Sequence, residues 1–106
     1  MSELVKKRLF HGFISMHILH HAKEQPVYGS WMVEELAHHG YHLSSGTLYP
    51  ILHGLEKEGL LTSSSSTVEG KLRKYYSLTL LGEEALLELR NYLKELSDEV
   101  MVKDYE

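Results

Sequence analysis

The sequence predicts a mostly α-helical fold with one small β-hairpin, and two changes of hydrophobic period predict it. Apolar residues recur at helical spacing in three stretches before residue 60. Between residues 60 and 78 they alternate, and from Leu86 onward they return at steps of three and four. A chain of 106 residues is long enough for one domain with its own core and too short for a second.

The first helix is expected from Leu4 to about Ala22. Leu9, Phe10, Phe13, Ile14 and Ile18 form its broad apolar face. The Gln25-Pro26 pair ends it, because a residue before proline is steered away from helical geometry. A second helix is expected from Tyr28 to about His39, with Val33, Leu36 and Ala37 facing inward. Gly40 closes it in the left-handed conformation, which lets Tyr41 pack back on Leu36.

The stretch LSSGTLYPILHGLEKEGLL, Leu43 to Leu61, carries the third helix. Leu48, Ile51, Leu52 and Leu55 recur at i, i+3, i+4 and i+7 on one face. Ser44, Ser45 and Thr47 each offer a hydroxyl that can cap the helix start. Pro50 is expected in or just after the first turn, where its missing N–H costs little. Gly59 is the stop, with Leu60 touching Leu55. The outer face carries Tyr49, His53, Gly54 and Lys57. Hydroxyls and unpaired N–H groups at a helix start are what a phosphate oxygen needs, although core helices start this way too.

Three short helices, the last two joined by a tight turn, form the pattern of a helix-turn-helix. Leu60 to Ser65 and Leu72 to Leu78 then read as strands, turned by Val68-Glu69-Gly70, with the polar tip SSSSTVEG expected to be mobile. Leu72, Lys74, Tyr76 and Leu78 share one face of the second strand; Arg73, Tyr75 and Ser77 share the other. Such a hairpin is unstable alone and must lie against the helices. The combination is a winged helix.

Thr79 caps a last helix whose first turn carries Glu83 and Glu84, favourable at its positive end. Leu86, Leu89, Leu93, Leu96 and Val100 then form a coiled-coil seam. This helix reaches roughly 35–40 Å, more than a small winged helix covers, so a second copy of the chain is the expected partner. Folding back on the first helix is the competing arrangement. Residues 1–78 are thus expected to form the winged helix-turn-helix and residues 79–106 a C-terminal dimerisation helix, packed as one compact unit.

The formal net charge is −4, and it is unevenly placed. Residues 1–82 hold eight Lys/Arg and seven Asp/Glu, for +1, while residues 83–106 hold three against eight, for −5. The total therefore does not exclude a nucleic-acid partner, and no strongly basic footprint argues for one. Without cysteine there is neither a disulfide framework nor a thiolate metal cluster, as befits a cytoplasmic protein. His11 and His17 interrupt the opening apolar run, and no small-residue cleavage site follows, so a signal peptide is not expected. No run is long enough to span a membrane.

With these elements in place, the sequence resembles the PadR family of bacterial and archaeal transcriptional regulators over nearly its whole length. PVYG (Pro26 to Gly29), LSSGTLYPILHGLEKEGLL and RKYYSLTLLGEEAL (Arg73 to Leu86) carry the resemblance. It implies a dimeric winged helix that represses transcription from an inverted-repeat operator in double-stranded DNA. The short single C-terminal helix resembles the compact branch of the family. Ser45 stands where the family usually has proline. Trp31 follows Ser30 where a second aromatic commonly follows the Tyr-Gly pair, and Leu72 replaces the proline that commonly precedes the Arg-Lys-Tyr-Tyr run.

The resemblance implies that the third helix enters the major groove by its amino end. Ser44, Ser45, Thr47 and Tyr49 would contact phosphates or base edges, and Thr47 also a thymine methyl. Tyr28 would bond the DNA backbone. Lys71, Arg73 and Lys74 on the wing would neutralise phosphates, with Arg73 able to reach a narrow minor groove. Core packing competes with this role for Tyr49, and for Tyr76 core packing with a satisfied hydroxyl is favoured. For Arg73 the competing role is a solvated surface charge. The dimer interface would draw on Leu86, Leu89, Leu93, Leu96 and Val100, with Phe10 and Phe13 of the first helix. Some family members take an aromatic or drug-like effector at that interface. Phe10, Phe13 and Ile14, with Tyr92 opposite, are candidates to line such a space, although core packing explains them equally. The sole tryptophan, Trp31, lies on the second helix, so none on the last helix can sandwich a flat ligand.

The eight histidines raise a metal-responsive alternative. His17, His20 and His21 lie at i, i+3 and i+4, while His38, His39 and His42 flank the end of the second helix, spacings that suit Zn²⁺ or Ni²⁺. The preference of histidine for helix C-termini accounts for them too, so no metal and no cofactor is assigned. Neither a nucleophile–base arrangement nor a phosphate-cradling glycine loop stands out, and an enzyme is not expected. The remaining alternative is a winged-helix adaptor that meets other proteins through its acidic last helix.

Overall fold

The computed structural model describes residues 2–102; residues 103–106, with the last acidic groups of the expected dimerisation helix, lie outside the described residues. The elements are α1 (Glu3–Glu24), β1 (Val27–Tyr28), α2 (Gly29–His38), α3 (Ser45–Lys57), β2 (Leu61–Val68), β3 (Lys71–Leu78) and α4 (Leu80–Val102). This is the mostly helical winged fold that the hydrophobic periods predict.

The core joins Ile14, Ile18, Leu19 and Ala22 of α1 to Met32 and Leu36 of α2, Leu48, Leu52 and Leu55 of α3, Leu61, Tyr76 and Leu86. Leu9 and Phe10, expected on the inner face of α1, are 48% and 37% exposed. The reason is shape. The molecule measures 59 × 29 × 21 Å, with a radius of gyration of 15.5 Å, against about 13 Å for a compact chain of this length. The apolar period of α1 thus continues past the body that it can pack against.

Both helix stops follow the expected chemistry. At the end of α2, Gly40 has φ +91°, and the Tyr41 and Gly40 N–H groups donate to the carbonyls of Leu36 and Ala37. At the end of α3, Gly59 has φ +84°, and Leu60 N–H donates to the Leu55 carbonyl at 3.0 Å. Each is a Schellman close, which satisfies terminal carbonyls that the helix leaves orphaned. The start of α3 falls among the expected capping hydroxyls. Ser45 is its first residue, so Pro50 is the sixth and lies inside the helix, beyond the first turn. It therefore withholds an N–H that would otherwise bond the Gly46 carbonyl.

Two features of the sheet are not expected from the sequence. Val27 and Tyr28 are extended and pair antiparallel with Tyr76 and Tyr75, giving a three-stranded sheet of order β1-β3-β2. Tyr28 thus ends a strand and precedes α2 instead of opening it as a helical residue. The first hairpin strand, expected to end at Ser65, also runs on to Val68. Pairing is continuous from Leu61↔Leu78 to Val68↔Lys71, and the turn is only Glu69 and Gly70, with φ of 51° and 80°. Two consecutive positive φ values match the twist of a type I′ hairpin, which is why eight residues on each side can pair to the tip.

Thr79 opens α4 as expected. Its Oγ1 accepts from Gly82 N–H at 2.9 Å and donates to the Gly59 carbonyl at 2.5 Å, tying the start of α4 to the end of α3. Along the seam, Leu86 is already buried in the chain's own core at 5% exposure. Leu89, Leu93, Leu96 and Val100 remain exposed, so the surface left for a partner begins at Leu89.

Candidate nucleic-acid interface

The start of α3 is built around Ser44. Its Oγ accepts from Thr47 N–H at 3.3 Å, and its carbonyl accepts from Leu48 N–H at 3.0 Å. Capping by Ser44 leaves the Ser45 and Gly46 N–H groups, which have no intrahelical acceptor, at the positive end of the helix. Ser44, Ser45, Gly46 and Thr47 are all exposed, and Thr47 Oγ1 lies 3.3 Å from Ser44 Oγ. The structure therefore gathers three of the expected hydroxyls on one open helix end, where they can meet an anion.

Tyr49, one turn on, is partly exposed and partly packed. Its ring is 39% exposed, yet its phenol lies against Gly29, the first residue of α2. A Cβ on Gly29 would sit 2.6 Å from the Tyr49 oxygen. The glycine of PVYG is therefore there for close approach by Tyr49. No spacing rule announces a contact between residues twenty apart, so sequence reasoning missed it.

Gly29 leads directly to the wing. Its neighbour Tyr28 packs edge-on against Tyr75 of β3, with ring centroids 5.4 Å apart. The Arg73 guanidinium lies over the Tyr28 ring, 4.4 Å from its centroid. Arg73 is thus held on an aromatic face in mid-strand, while Lys71 is exposed at the tip of the hairpin. Lys74 points to the opposite face of the sheet, as strand alternation requires. There its Nζ lies 3.7 Å from Glu56 of α3 and 5.5 Å from the centroid of Tyr76. The three wing cations therefore do not form one patch.

Glu56 was not singled out from the sequence. It accepts a short hydrogen bond from Ser63 of β2 as well as pairing with Lys74, so one carboxylate ties the wing to α3. A carboxylate beside Leu55, at the boundary of the buried face, is the only trace that the sequence carries of this tie. Tyr76 is fully buried, as favoured, but its hydroxyl has no hydrogen-bond partner among the described residues. Burial pushes its phenol above the ordinary tyrosine range, and nearby Lys74 partly opposes that.

On the far side of the molecule, α4 packs along α1. A cleft of about 390 Å³ opens between them, lined by Phe13, Met16, His17, Leu86 and Leu93 among others. Phe13 is half-buried there, whereas Phe10 leans edge-on against Tyr41 at 5.3 Å. Tyr92, expected opposite Phe10, is 66% exposed and does not line this cleft. No helix among the described residues is long and apolar enough to cross a membrane.

Comparison with known proteins agrees with this architecture. Residues 18–88 match the family described as transcriptional regulator PadR-like. The chain is 49% identical over 88 residues to a transcriptional regulator of Mycobacterium tuberculosis, covering 83% of this chain and 82% of that protein. The crystal structure of a PadR family transcriptional regulator from Eggerthella lenta superposes with a TM-score of 0.78 at 34% identity, covering 92% of this chain and 89% of that one. A PadR-like transcriptional regulator from Bacillus cereus gives a TM-score of 0.75 at 31% identity, covering 93% of each chain. With its winged fold, its capped third helix and these relatives, the chain belongs to the PadR-like family of DNA-binding transcriptional regulators and is not an enzyme.

Proposed function

We propose that the chain is a homodimeric repressor that reads an inverted-repeat operator with the start of α3 and holds it with the wing. The observation that carries this reading is the run of contacts from Tyr49 through Gly29 and Tyr28 to Arg73. It couples the exposed hydroxyl-bearing helix end to a cation on the sheet, so both can be placed on one duplex together. Ser44, Ser45, Thr47 and Tyr49 contact phosphates and base edges in the major groove. Tyr28 bonds the backbone, and Lys71 and Arg73 neutralise phosphates. Lys74 adds charge from the opposite face while Glu56 holds it.

Dimerisation rests on the apolar stripe of Leu89, Leu93, Leu96 and Val100 on α4, all exposed in the single chain, as are Leu4, Val5, Leu9 and Phe10 of α1. An exposed apolar stripe of this length on one helix is a docking face by ordinary standards. A two-fold dimer then presents two α3 starts to half-sites about 34–36 Å apart. The cleft between α1 and α4 suits a small apolar effector, which would release the operator by shifting that interface. Action on DNA fits a cytoplasmic protein.

The test is a gel shift on the DNA upstream of the protein's own gene, with light scattering on the same sample. A specific complex of two chains per site is expected. A lone monomer at working concentration, or retention on heparin without any preferred DNA, overturns the proposal and favours the adaptor.

A further inference from the structure

We propose that His17, His21 and His39 form a binding site for a divalent transition metal of the Zn²⁺ type, with the Glu35 carboxylate at its rim. The three side chains come from two elements. His17 and His21 stand one turn apart on α1, and His39 is the C-cap residue of α2. One ring nitrogen from each lies within 4.8 Å of the other two. Nitrogens around a tetrahedral Zn²⁺ at 2.0–2.1 Å sit about 3.3–3.4 Å apart, so the rings need close by no more than about 1.5 Å. That is a side-chain rotation and leaves the backbone in place. The rings of His17 and His39 are already stacked at 4.4 Å, and those of His17 and His21 at 6.1 Å.

A second observation points to a ligand. His21 Nε2 is buried and makes no hydrogen bond among the described residues, although Glu35 Oε2 lies 3.4 Å away, outside bonding geometry. A buried ring nitrogen in that state needs a partner, and a cation shared with its neighbours supplies one. The same Glu35 oxygen lies 2.9 Å from His39 Nε2. A carboxylate beside the three imidazoles offsets part of a dication's charge.

The donor set selects the metal. Three imidazoles without thiolate suit Zn²⁺ and its neighbours, whereas Ca²⁺ and Mg²⁺ require oxygen cages. A second group, His20, His21 and Glu24, shares His21 but lies toward solvent, with His20 and Glu24 side chains 58% and 62% exposed. The His17 set is better enclosed and bridges two helices. Its place also gives it leverage. A metal there pins α1 to the end of α2, directly before the Gly40 turn that leads into α3.

The experiment uses the full chain without a histidine tag, stripped with chelator, titrated with Zn²⁺ by calorimetry and with Co²⁺ by visible absorption. One equivalent per chain is expected, with the d–d bands of a four-coordinate Co²⁺ centre and a raised Tm. Loss of an outer-shell partner typically costs 10–100-fold in affinity, so H21Q and H39Q should each lose at least about 100-fold. His39 is exposed, so H39Q leaves the core intact and reads the site alone. H20Q and H53Q should bind as the unaltered chain does. Absence of a saturable equivalent, binding that survives H39Q, or binding that H20Q abolishes would each overturn the assignment. None of these readouts involves DNA, so failure here leaves the operator reading untouched.

Discussion

The phenol of Tyr49 covers Gly29 so closely that a Cβ on that glycine would lie 2.6 Å from the phenol oxygen and 2.8 Å from Cζ. The contact joins α3 to the start of α2, and through Tyr28 it reaches the wing.

Replacing Gly29 by alanine should therefore act through Tyr49. The ring is exposed enough to swing out, so stability should change by no more than about 1 kcal/mol while DNA affinity falls. In a Tyr49→Ala background the collision is gone. The same Gly29→Ala change should then be neutral, or slightly stabilising through helix propensity. Urea melts and gel shifts on the four members of the cycle measure the coupling. Strictly additive effects would show that the two residues do not act through their contact.

Arg73 and Thr47 should fail in different ways. Arg73→Ala removes a guanidinium from the Tyr28 face. It should weaken binding to every sequence and reduce the salt slope by about one. Thr47→Ala keeps the Ser44 cap, because the capped group is the Thr47 backbone N–H. The helix should therefore persist while preference at one base position shifts by about 1–3 kcal/mol. Fluorescence titrations across salt and operator variants separate the two. Equal losses with unchanged salt slopes would remove Arg73 from the phosphate contacts.

How much of this was legible depended on the range of each signal. Both glycine stops, the Ser44 and Thr79 caps and the Leu48–Leu52–Leu55 face follow from residues within a few positions of each other, and the sequence displays them openly. The β1 strand is two residues long, too short for a period of two to register. The Gly29–Tyr49 contact and the tie of Glu56 to Ser63 and Lys74 join elements whose relative placement only the whole core decides. The gathering of His39 with His17 and His21 has the same origin. Ser66 and Thr67 carry no apolar alternation, so the expected strand stops at Ser65; the twist of the Glu69-Gly70 turn carries it on to Val68, since it aligns both flanking segments for pairing.

Tyr76 offers a test of the core. Its hydroxyl is buried without a partner among the described residues, so that desolvation is uncompensated. Tyr76→Phe should be neutral or stabilise the chain by up to about 1 kcal/mol, as read from the urea midpoint. A loss above about 1 kcal/mol would mean that the hydroxyl has a partner, such as an internal water.

Gly82 should be the least replaceable glycine. A Cβ there would run into the Leu60 carbonyl oxygen and the Leu78 side chain, and the Leu60 backbone cannot step aside because its carbonyl accepts from Thr79 N–H. Gly82→Ala should cost at least about 2 kcal/mol. Thr79→Ala, which removes the cap and the link to the Gly59 carbonyl, should cost about 1–2 kcal/mol. Thermal melts rank the two, and a milder effect for Gly82 would show that α4 can shift away from β2.

The seam on α4 separates folding from assembly, because its members differ in burial. Leu86 belongs to the single chain's core, so its truncation to alanine should destabilise by about 2–5 kcal/mol whatever the assembly. Leu93 and Leu96 are 41% and 56% exposed, so glutamate at either leaves the core nearly untouched. In a dimer it buries a charge against an apolar partner and sets like charges face to face across the two-fold axis. Leu93→Glu and Leu96→Glu should therefore give folded monomers, with helical content retained and concentration-dependent Tm lost. Operator affinity should fall by orders of magnitude, since one half-site alone must hold the complex. Sedimentation and gel shifts on the same samples decide the matter. If both variants sediment as the unaltered protein does, the dimer contact lies elsewhere than on this stripe.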